Sequence, residues 1–184
     1  MSNKNSIGQL NYRSSADRLE FDSYFTPPYA TELLVNTVEF EGVVWEPASG
    51  DGHISKILEK KGMEVVSSDL RPDCYGTSGF DFFSSTQVVD NIITNPPYKG
   101  SEKWVEHGLK LTTKKLAMLF RLSFLESAKR NPMFNNTPLE HVWVLSKRLP
   151  HWDGKTFKGS ATFAHAWFVW DHSYEGETKI GWLI

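Results

Sequence analysis

A strand, a glycine-rich turn and a helix follow one another within residues 42–62. The apolar segment Gly42–Glu46 runs into the turn Pro47–Gly52, and the helical pattern Ile54–Lys61 then ends at a glycine. Glycines in the turn allow the backbone to approach a ligand closely, and the start of the helix offers unpaired N–H groups. Because this order is typical of α/β nucleotide-binding units, we predict a mostly parallel sheet with helices on both faces.

The spacing of the turn differs from two familiar phosphate-binding motifs. A third glycine of the dinucleotide fingerprint would fall at Ser55, and the Lys-Ser/Thr pair of a P-loop is missing. The acidic side chains of Glu46 and Asp51 would repel phosphate. A cationic or uncharged nucleoside ligand therefore fits this turn better.

Two acidic residues follow at the ends of later segments. The predicted strand Met63–Leu70 ends at Asp69, which in this architecture accepts hydrogen bonds from ribose hydroxyls. In Phe80–Phe83, Asp81 stands between aromatic residues and would accept from an exocyclic adenine amine while a ring packs on the base. The simpler interpretation of Asp69 is a capping or turn aspartate. The simpler interpretation of Phe80–Phe83 is a set of core aromatics.

The apolar segment Val88–Thr94 is typical of a central strand buried on both faces, and it leads into Asn95-Pro96-Pro97-Tyr98. Two prolines have fixed φ angles and no N–H, so this turn leaves its carbonyl groups outside the sheet ladder. The amide oxygen of Asn95 beside a backbone carbonyl makes a pair of acceptors for an –NH2 group, and Tyr98 adds an aromatic face. An ordinary turn after a buried strand would use similar residues.

The rest of the chain predicts further helices and strands around this unit. Thr26 and Pro27 are suited to the cap and first position of a helix. Periodicity predicts helices over residues 29–40, 101–111 and 123–129, strands over 115–120, 141–145 and 162–170, and loops over 131–138 and 147–160.

Length and composition favour a single domain. The 184 residues suffice for one hydrophobic core, and we predict a flexible arm over residues 1–20 ahead of one domain over residues 21–184. One cysteine excludes an internal disulfide, the six histidines lack metal-ligand spacing, and the sequence contains no apolar segment of transmembrane length. We therefore expect a cytoplasmic protein that binds neither metal nor membrane.

The net charge of −2 conceals an uneven distribution. Residues 1–98 carry 7 Lys or Arg and 14 Asp or Glu, whereas residues 99–158 carry 12 and 5. A polyanion would be drawn to the basic segment if its charges share one surface. A lysine-rich surface without a partner is the competing interpretation.

With these motifs in this order, the chain resembles the class I S-adenosylmethionine-dependent amino-methyltransferases. It is most similar to the N6-adenine DNA methyltransferases of the gamma motif order, particularly the small bacteriophage and prophage kind. The resemblance covers about residues 21–170 and implies a Rossmann-like fold with a mostly parallel seven-stranded sheet.

The resemblance also implies roles for individual residues. Asn95, Pro96, Pro97 and Tyr98 would hold a base that is flipped out of its helix, with its amine on the acceptors and its ring on the tyrosine. S-adenosylmethionine would be bound by Tyr24, Phe25, Thr26, Pro27, Glu46, Pro47, Ala48, Gly50, Gly52, Asp69, Leu70, Asp81, Phe82 and Asn95.

DNA is the partner that the resemblance favours, with adenine N6 as the acceptor. Similar motifs serve enzymes that methylate RNA base amines or the glutamine amide of proteins, and a non-catalytic cofactor-binding protein is a further alternative. Larger relatives carry a separate target-recognition region, for which residues 124–138 and 147–160 are the available segments here. His165 and Trp167 would border the target pocket, or else belong to the core.

Overall fold

The computed structural model describes residues 25–152, 155–160 and 162–184. The predicted N-terminal arm and Tyr24 lie outside these residues. The helices are α1 (Pro28–Thr37), α2 (Ser55–Lys60), α3 (Ser101–Leu111) and α4 (Asn131–Asn135). The strands are β1 (Val44–Glu46), β2 (Val65–Asp69), β3 (Thr77–Ser78), β4 (Val89–Thr94), β5 (Thr112–Arg121), β6 (Leu139–Leu145), β7 (His151–Trp152), β8 (Phe157–Lys158), β9 (His165–Asp171) and β10 (Lys179–Leu183).

The described residues form an eight-stranded sheet with the order β10-β6-β9-β5-β4-β1-β2-β3. Every neighbouring pair is parallel except the two pairs made by β9, which runs antiparallel to β5 and β6. The predicted Rossmann-like, mostly parallel architecture is thus confirmed. Eight strands replace the expected seven because β10 adds an edge strand beside β6.

Alternate residues of the central strand β5 enter two separate hydrophobic layers. Leu116, Met118 and Phe120 face the layer that α3 covers. Ala117 and Leu119 face the opposite layer, which α1 and α2 cover. All five side chains are at most 1% exposed, so β5 is buried on both faces as a central parallel strand requires.

Helix α3 lies close to β5 because one of its residues has no side chain. A Cβ at Gly108 would stand 2.9 Å from a methyl group of Leu116 and 3.1 Å from that of Met118. The helix starts after Gly100, whose φ of 78° turns the chain out of the preceding loop. Helix α3 then returns the chain from the carboxyl edge of β4 to the amino edge of β5.

Several predicted boundaries are corrected by the structure. Residues 131–138, predicted as a loop, contain α4, whereas the helix expected over 123–129 is a 3₁₀ turn at Leu122–Glu126. The loop at 147–160 contains the short hairpin of β7 and β8. Helix α1 ends at Thr37 rather than Phe40, since Val38 already has extended backbone angles.

None of the helices in residues 25–152, 155–160 and 162–184 has the length and apolar character of a membrane span. In the same ranges, no group of three or more His, Cys, Asp and Glu side chains is arranged to hold a metal ion.

Candidate active site

The carboxyl edge of the sheet forms one wall of a cavity of about 820 Å³. Strands β1, β2, β4 and β5 all end at this edge because they run parallel. The predicted site residues that line the cavity are Phe25, Thr26, Glu46, Pro47, Ala48, Gly50, Asp69, Leu70, Asp81, Phe82, Asn95, Pro97 and Tyr98. Sheet topology therefore gathers motifs that are as far apart in the chain as residues 25 and 98.

Three predicted site residues of the described part lie outside the lining of this cavity. Pro27 and Pro96 are buried. At Gly52, with φ of 77°, an added Cβ would stand 2.5 Å from the ring of Tyr75. A glycine is therefore required here both by the conformation of the turn and by the close approach of the Tyr75 ring.

Asn95 is held by a contact that the sequence did not suggest. Its amide nitrogen donates to the hydroxyl oxygen of Thr26 at 3.0 Å, and both side chains are buried. We expected Thr26 to cap α1, but that helix has Pro27 at its cap position and no side-chain cap. With its nitrogen on Thr26, the Asn95 amide offers its oxygen as the acceptor.

The ring of Tyr98 carries a cation on its face. The guanidinium carbon of Arg121 lies 5.0 Å from the centroid of Tyr98 and 4.4 Å from that of Phe163. His165 lies next to the same tyrosine, with 6.2 Å between ring centroids. Burial, and then the charge of Arg121, lowers the pKa of His165 to about 4, so its imidazole is neutral at physiological pH.

Asp69 is fixed by backbone hydrogen bonds at the tip of β2. One carboxylate oxygen accepts from the N–H of Gly50 at 2.7 Å, and the other accepts from the N–H of Arg71 at 2.9 Å. A carboxylate has about four acceptor positions, so it retains capacity for hydroxyl donors from the cavity. The turn and the second strand are thereby joined through the residue that was predicted to bind ribose.

Glu46 is a buried acid at the end of β1, with 1% of its surface exposed. Its carboxylate accepts from the backbone N–H and the hydroxyl of Ser55, at the start of α2. Burial raises the pKa of Glu46 to about 8, against the opposing effect of the Ser55 hydrogen bonds. A cation in the adjoining cavity would favour the ionised form.

The far side of the cavity is aromatic. Phe82 stacks on Trp104 with 4.3 Å between centroids and 6° between ring planes, and Phe80 and Phe83 line the cavity beside them. Asp81 accepts from the N–H of Phe83 and so caps the 3₁₀ turn Phe82–Ser84. This capping contact was not predicted for Asp81, and its place in the cavity wall leaves the residue beside any ligand there.

The basic segment does not form one continuous surface. Lys114 and Lys115 lie at the start of β5, away from the cavity, and pair with Glu41 at 3.3 Å and Asp171 at 2.8 Å. Lys99 and Arg121, in contrast, line the cavity. Part of the basic charge thus stabilises the sheet edge opposite the site.

The structure adds site residues that the sequence analysis missed or assigned to the core. Trp104 shows helical periodicity, which predicts burial but not a place in the cavity wall. No local sequence pattern predicts that Arg121 and His53 line the cavity, because the end of a strand and a turn place them at its wall. His53 lies between Phe25 at 5.3 Å and Phe157 of the β7–β8 hairpin at 5.6 Å. Trp167 belongs to the core and donates to the carbonyl of Ala30.

Solved structures with the same arrangement include methyltransferases from several organisms and putative hemolysins from Lactococcus lactis and Streptococcus thermophilus. The modification subunit of a putative type I restriction enzyme from Vibrio vulnificus is 15% identical, with a TM-score of 0.58 over 89% of this chain. The chain has the class I methyltransferase fold. It spans 46% of that subunit's length.

Two further structures share this methyltransferase fold. A putative RNA methyltransferase from Pyrococcus horikoshii is 12% identical, with a TM-score of 0.59 over 77% of this chain and 80% of the other. The magnesium protoporphyrin IX methyltransferase of Synechocystis, solved with bound S-adenosylmethionine, is 14% identical, with a TM-score of 0.51 over 78% and 76%. No protein-family model and no curated protein sequence matches the chain.

Proposed function

We propose that this protein is an S-adenosylmethionine-dependent methyltransferase that acts on the N6 amine of adenine in DNA. The observation that carries the proposal is the placement of Asn95 and Tyr98 in one cavity with the glycine turn and Asp69. A donor of methyl groups and an acceptor amine can meet in a single cavity of this kind. Its volume of about 820 Å³ lies in the range of small-molecule sites.

The residues present fit the cofactor. Asp69 offers a carboxylate that two backbone N–H groups hold in place, as a ribose would require. Phe80, Phe82 and Phe83 offer an apolar surface for an adenine ring. The buried acid Glu46 would be stabilised in its ionised form by a nearby positive charge, which suits a sulfonium and an ammonium group.

S-adenosylmethionine, when bound, supplies a methyl group on a positively charged sulfur. The lone pair of an aromatic amine is delocalised into its ring, so the amine is a weak nucleophile. Asn95 Oδ1 and the carbonyl oxygen of Pro96 would each accept one hydrogen of that amine, which shifts electron density back to the nitrogen. The hydrogen bond from Asn95 to Thr26 holds the amide in the orientation that accepting the amine requires. Positioning of the reactants in a site that excludes water lowers the barrier by several kcal/mol.

RNA is the second candidate substrate. The structural neighbours include a 23S rRNA methyltransferase and a dimethyladenosine transferase from Plasmodium falciparum, alongside the restriction modification subunits. A protein glutamine amide and cofactor binding without turnover complete the alternatives. Tyr98 favours a planar base over an aliphatic amide, because an aromatic face stabilises a stacked ring.

The test is methyl transfer from labelled S-adenosylmethionine to unmethylated DNA, to total RNA and to cell protein in parallel reactions. We expect label in DNA, located at adenine by methylation-sensitive sequencing. Asn95→Ala should lower the transfer rate by about 100-fold or more. Calorimetry of S-adenosylmethionine binding to this variant separates loss of the amine acceptor from weaker cofactor binding, because Asn95 is also among the predicted cofactor-binding residues.

The matched control is Asn36→Ala, since Asn36 is exposed near the end of α1 and lies outside both the cavity lining and the candidate target-recognition segments. This variant should transfer methyl groups at the unmodified rate. Label in RNA alone or protein alone would overturn the DNA assignment, and cofactor binding without any transfer would favour the non-catalytic alternative.

A further inference from the structure

The Arg121 guanidinium contacts two aromatic rings at the mouth of the candidate site. Its central carbon lies 5.0 Å from the Tyr98 centroid and 4.4 Å from the Phe163 centroid. The guanidinium group is planar and delocalised, and it stacks on aromatic faces much as a nucleobase does. A flat, polar group thus lies on the tyrosine that the proposed function assigns to a base.

Arg121 is placed there by the sheet. It is the last residue of β5, and its partner across the antiparallel pair is His165 of β9. The cavity that it lines also contains Asn95. A base whose amine reaches Asn95 and whose ring lies on the face of Tyr98 that Arg121 covers must therefore displace this guanidinium.

We propose that the Arg121 guanidinium covers the base-stacking face of Tyr98 until a base enters, and that the entering base displaces it onto a phosphate of the same nucleic acid. The inference rests on the proposed function and narrows its substrate class. A glutamine amide has neither a ring to exchange for the guanidinium nor a phosphate to receive it. A nucleotide supplies both, so the displaced charge gains an ion pair when it loses its ring contact.

Two ligands test separately the displacement of Arg121 from the ring and its ion pair with a phosphate. Adenosine carries a ring without a phosphate, and a short single-stranded oligonucleotide carries both. Calorimetry with each ligand is performed with S-adenosylhomocysteine at saturation, so that the cofactor site is filled. Arg121→Gln should bind adenosine about 3- to 30-fold more tightly, which is the size of one cation–π contact that no longer competes.

The same variant should bind the oligonucleotide more weakly at low salt. Its affinity should also depend less on salt concentration, with a slope reduced by about one ion. Opposite signs for the two ligands are the signature of displacement, because loss of a simple phosphate contact would leave adenosine binding unchanged.

Lys99→Gln is the matched control, since Lys99 lines the same cavity and carries the same charge. It should weaken oligonucleotide binding without tightening adenosine binding. Phe163→Leu keeps the charge but removes the second ring, and Phe163 is 49% exposed, so this variant should fold. It should tighten adenosine binding and leave the salt slope unchanged.

Unchanged or weaker adenosine binding in Arg121→Gln would overturn the inference, provided that S-adenosylhomocysteine still binds. The proposed function would survive that result, because methyl transfer to DNA is measured separately. Failure of the unmodified protein to bind S-adenosylhomocysteine would overturn the proposed function and the inference together.

Discussion

The side-chain nitrogen of Asn95 donates to the hydroxyl of Thr26 at 3.0 Å, across a separation of 69 residues. The contact joins the segment before α1 to the turn after β4. It determines which atom of the amide acts as an acceptor in the cavity. A residue that was expected to start a helix therefore orients the group to which we assign the target amine.

Thr26→Val should disturb both stability and methyl transfer. The valine retains the shape but leaves the Asn95 nitrogen without this acceptor, at a cost of about 1–3 kcal/mol in the free energy of unfolding. Urea denaturation measures this loss, and the transfer rate should fall about 10- to 100-fold because the amide is no longer oriented. Thr26→Ser retains the hydroxyl and should restore both values; an equally impaired serine variant would contradict the assignment.

Asp69→Asn should weaken binding of S-adenosylmethionine by about 1–3 kcal/mol, because a charge-assisted contact to the ribose becomes a neutral one. Calorimetry measures the dissociation constant directly. Asp73→Asn is the control, since this exposed acid lies in the same loop and outside the cavity lining. Equal cofactor affinity in the unmodified protein and Asp69→Asn would remove Asp69 from the site.

Glu46 should make the protein less stable as pH rises. Its folded pKa is raised from 4.5 to about 8, so the folded state binds the proton more tightly than the unfolded state between these values. Protonated Glu46 therefore stabilises the folded state fully below pH 4.5, and this contribution to the free energy of unfolding is lost as the pH approaches 8. Glu46→Gln keeps an acceptor for Ser55 and cannot titrate.

The measurement is the free energy of unfolding of both proteins between pH 5 and pH 8, for which the linkage predicts a change on the order of a few kcal/mol. The unmodified protein should lose stability relative to Glu46→Gln across this range. Parallel pH profiles for the two proteins would show that Glu46 titrates near its ordinary pKa.

The two lysines of the β7–β8 region should contribute to nucleic-acid affinity. Lys155 and Lys158 are exposed, and Phe157 between them contacts His53 at the cavity. Reversing both charges to Glu should lower DNA affinity and reduce its salt slope. Lys110→Glu is the control, because Lys110 is exposed near the end of α3, at the opposite edge of the sheet. Equal salt slopes in all three proteins would make Lys155 and Lys158 ordinary surface residues.

Gly52→Ala should be more destabilising than Gly62→Ala. Both glycines have positive φ angles, 77° and 82°, so each substitution strains the backbone by roughly 1–2 kcal/mol. At Gly52 the new methyl group would also meet the ring of Tyr75 at 2.5 Å, whereas nothing lies within 4 Å at Gly62. Thermal or urea unfolding compares the two, and equal losses would show that Tyr75 moves aside freely.

Local patterns in the sequence predict the order of the α/β units. The apolar segment before Asn95 predicted a central buried strand, and β4 has this position. The glycine turn predicted a strand and a helix on either side of it, which are β1 and α2. These predictions succeed because periodicity and glycine conformation act within a few residues of the chain. The edge strand β10 and helix α4 were missed, since their formation depends on contacts with distant parts of the chain.

Which distant residues share the site depends on the three-dimensional fold. Three contacts join distant residues at the site: Thr26 with Asn95, Arg121 with Tyr98, and Trp104 with Phe82. They form because parallel strands and the helices that connect them bring separate segments to the same edge of the sheet. No local sequence pattern predicts these contacts, because each depends on sheet order and register. The sequence could therefore name the chemical groups of the site, but only the fold could say which of them touch.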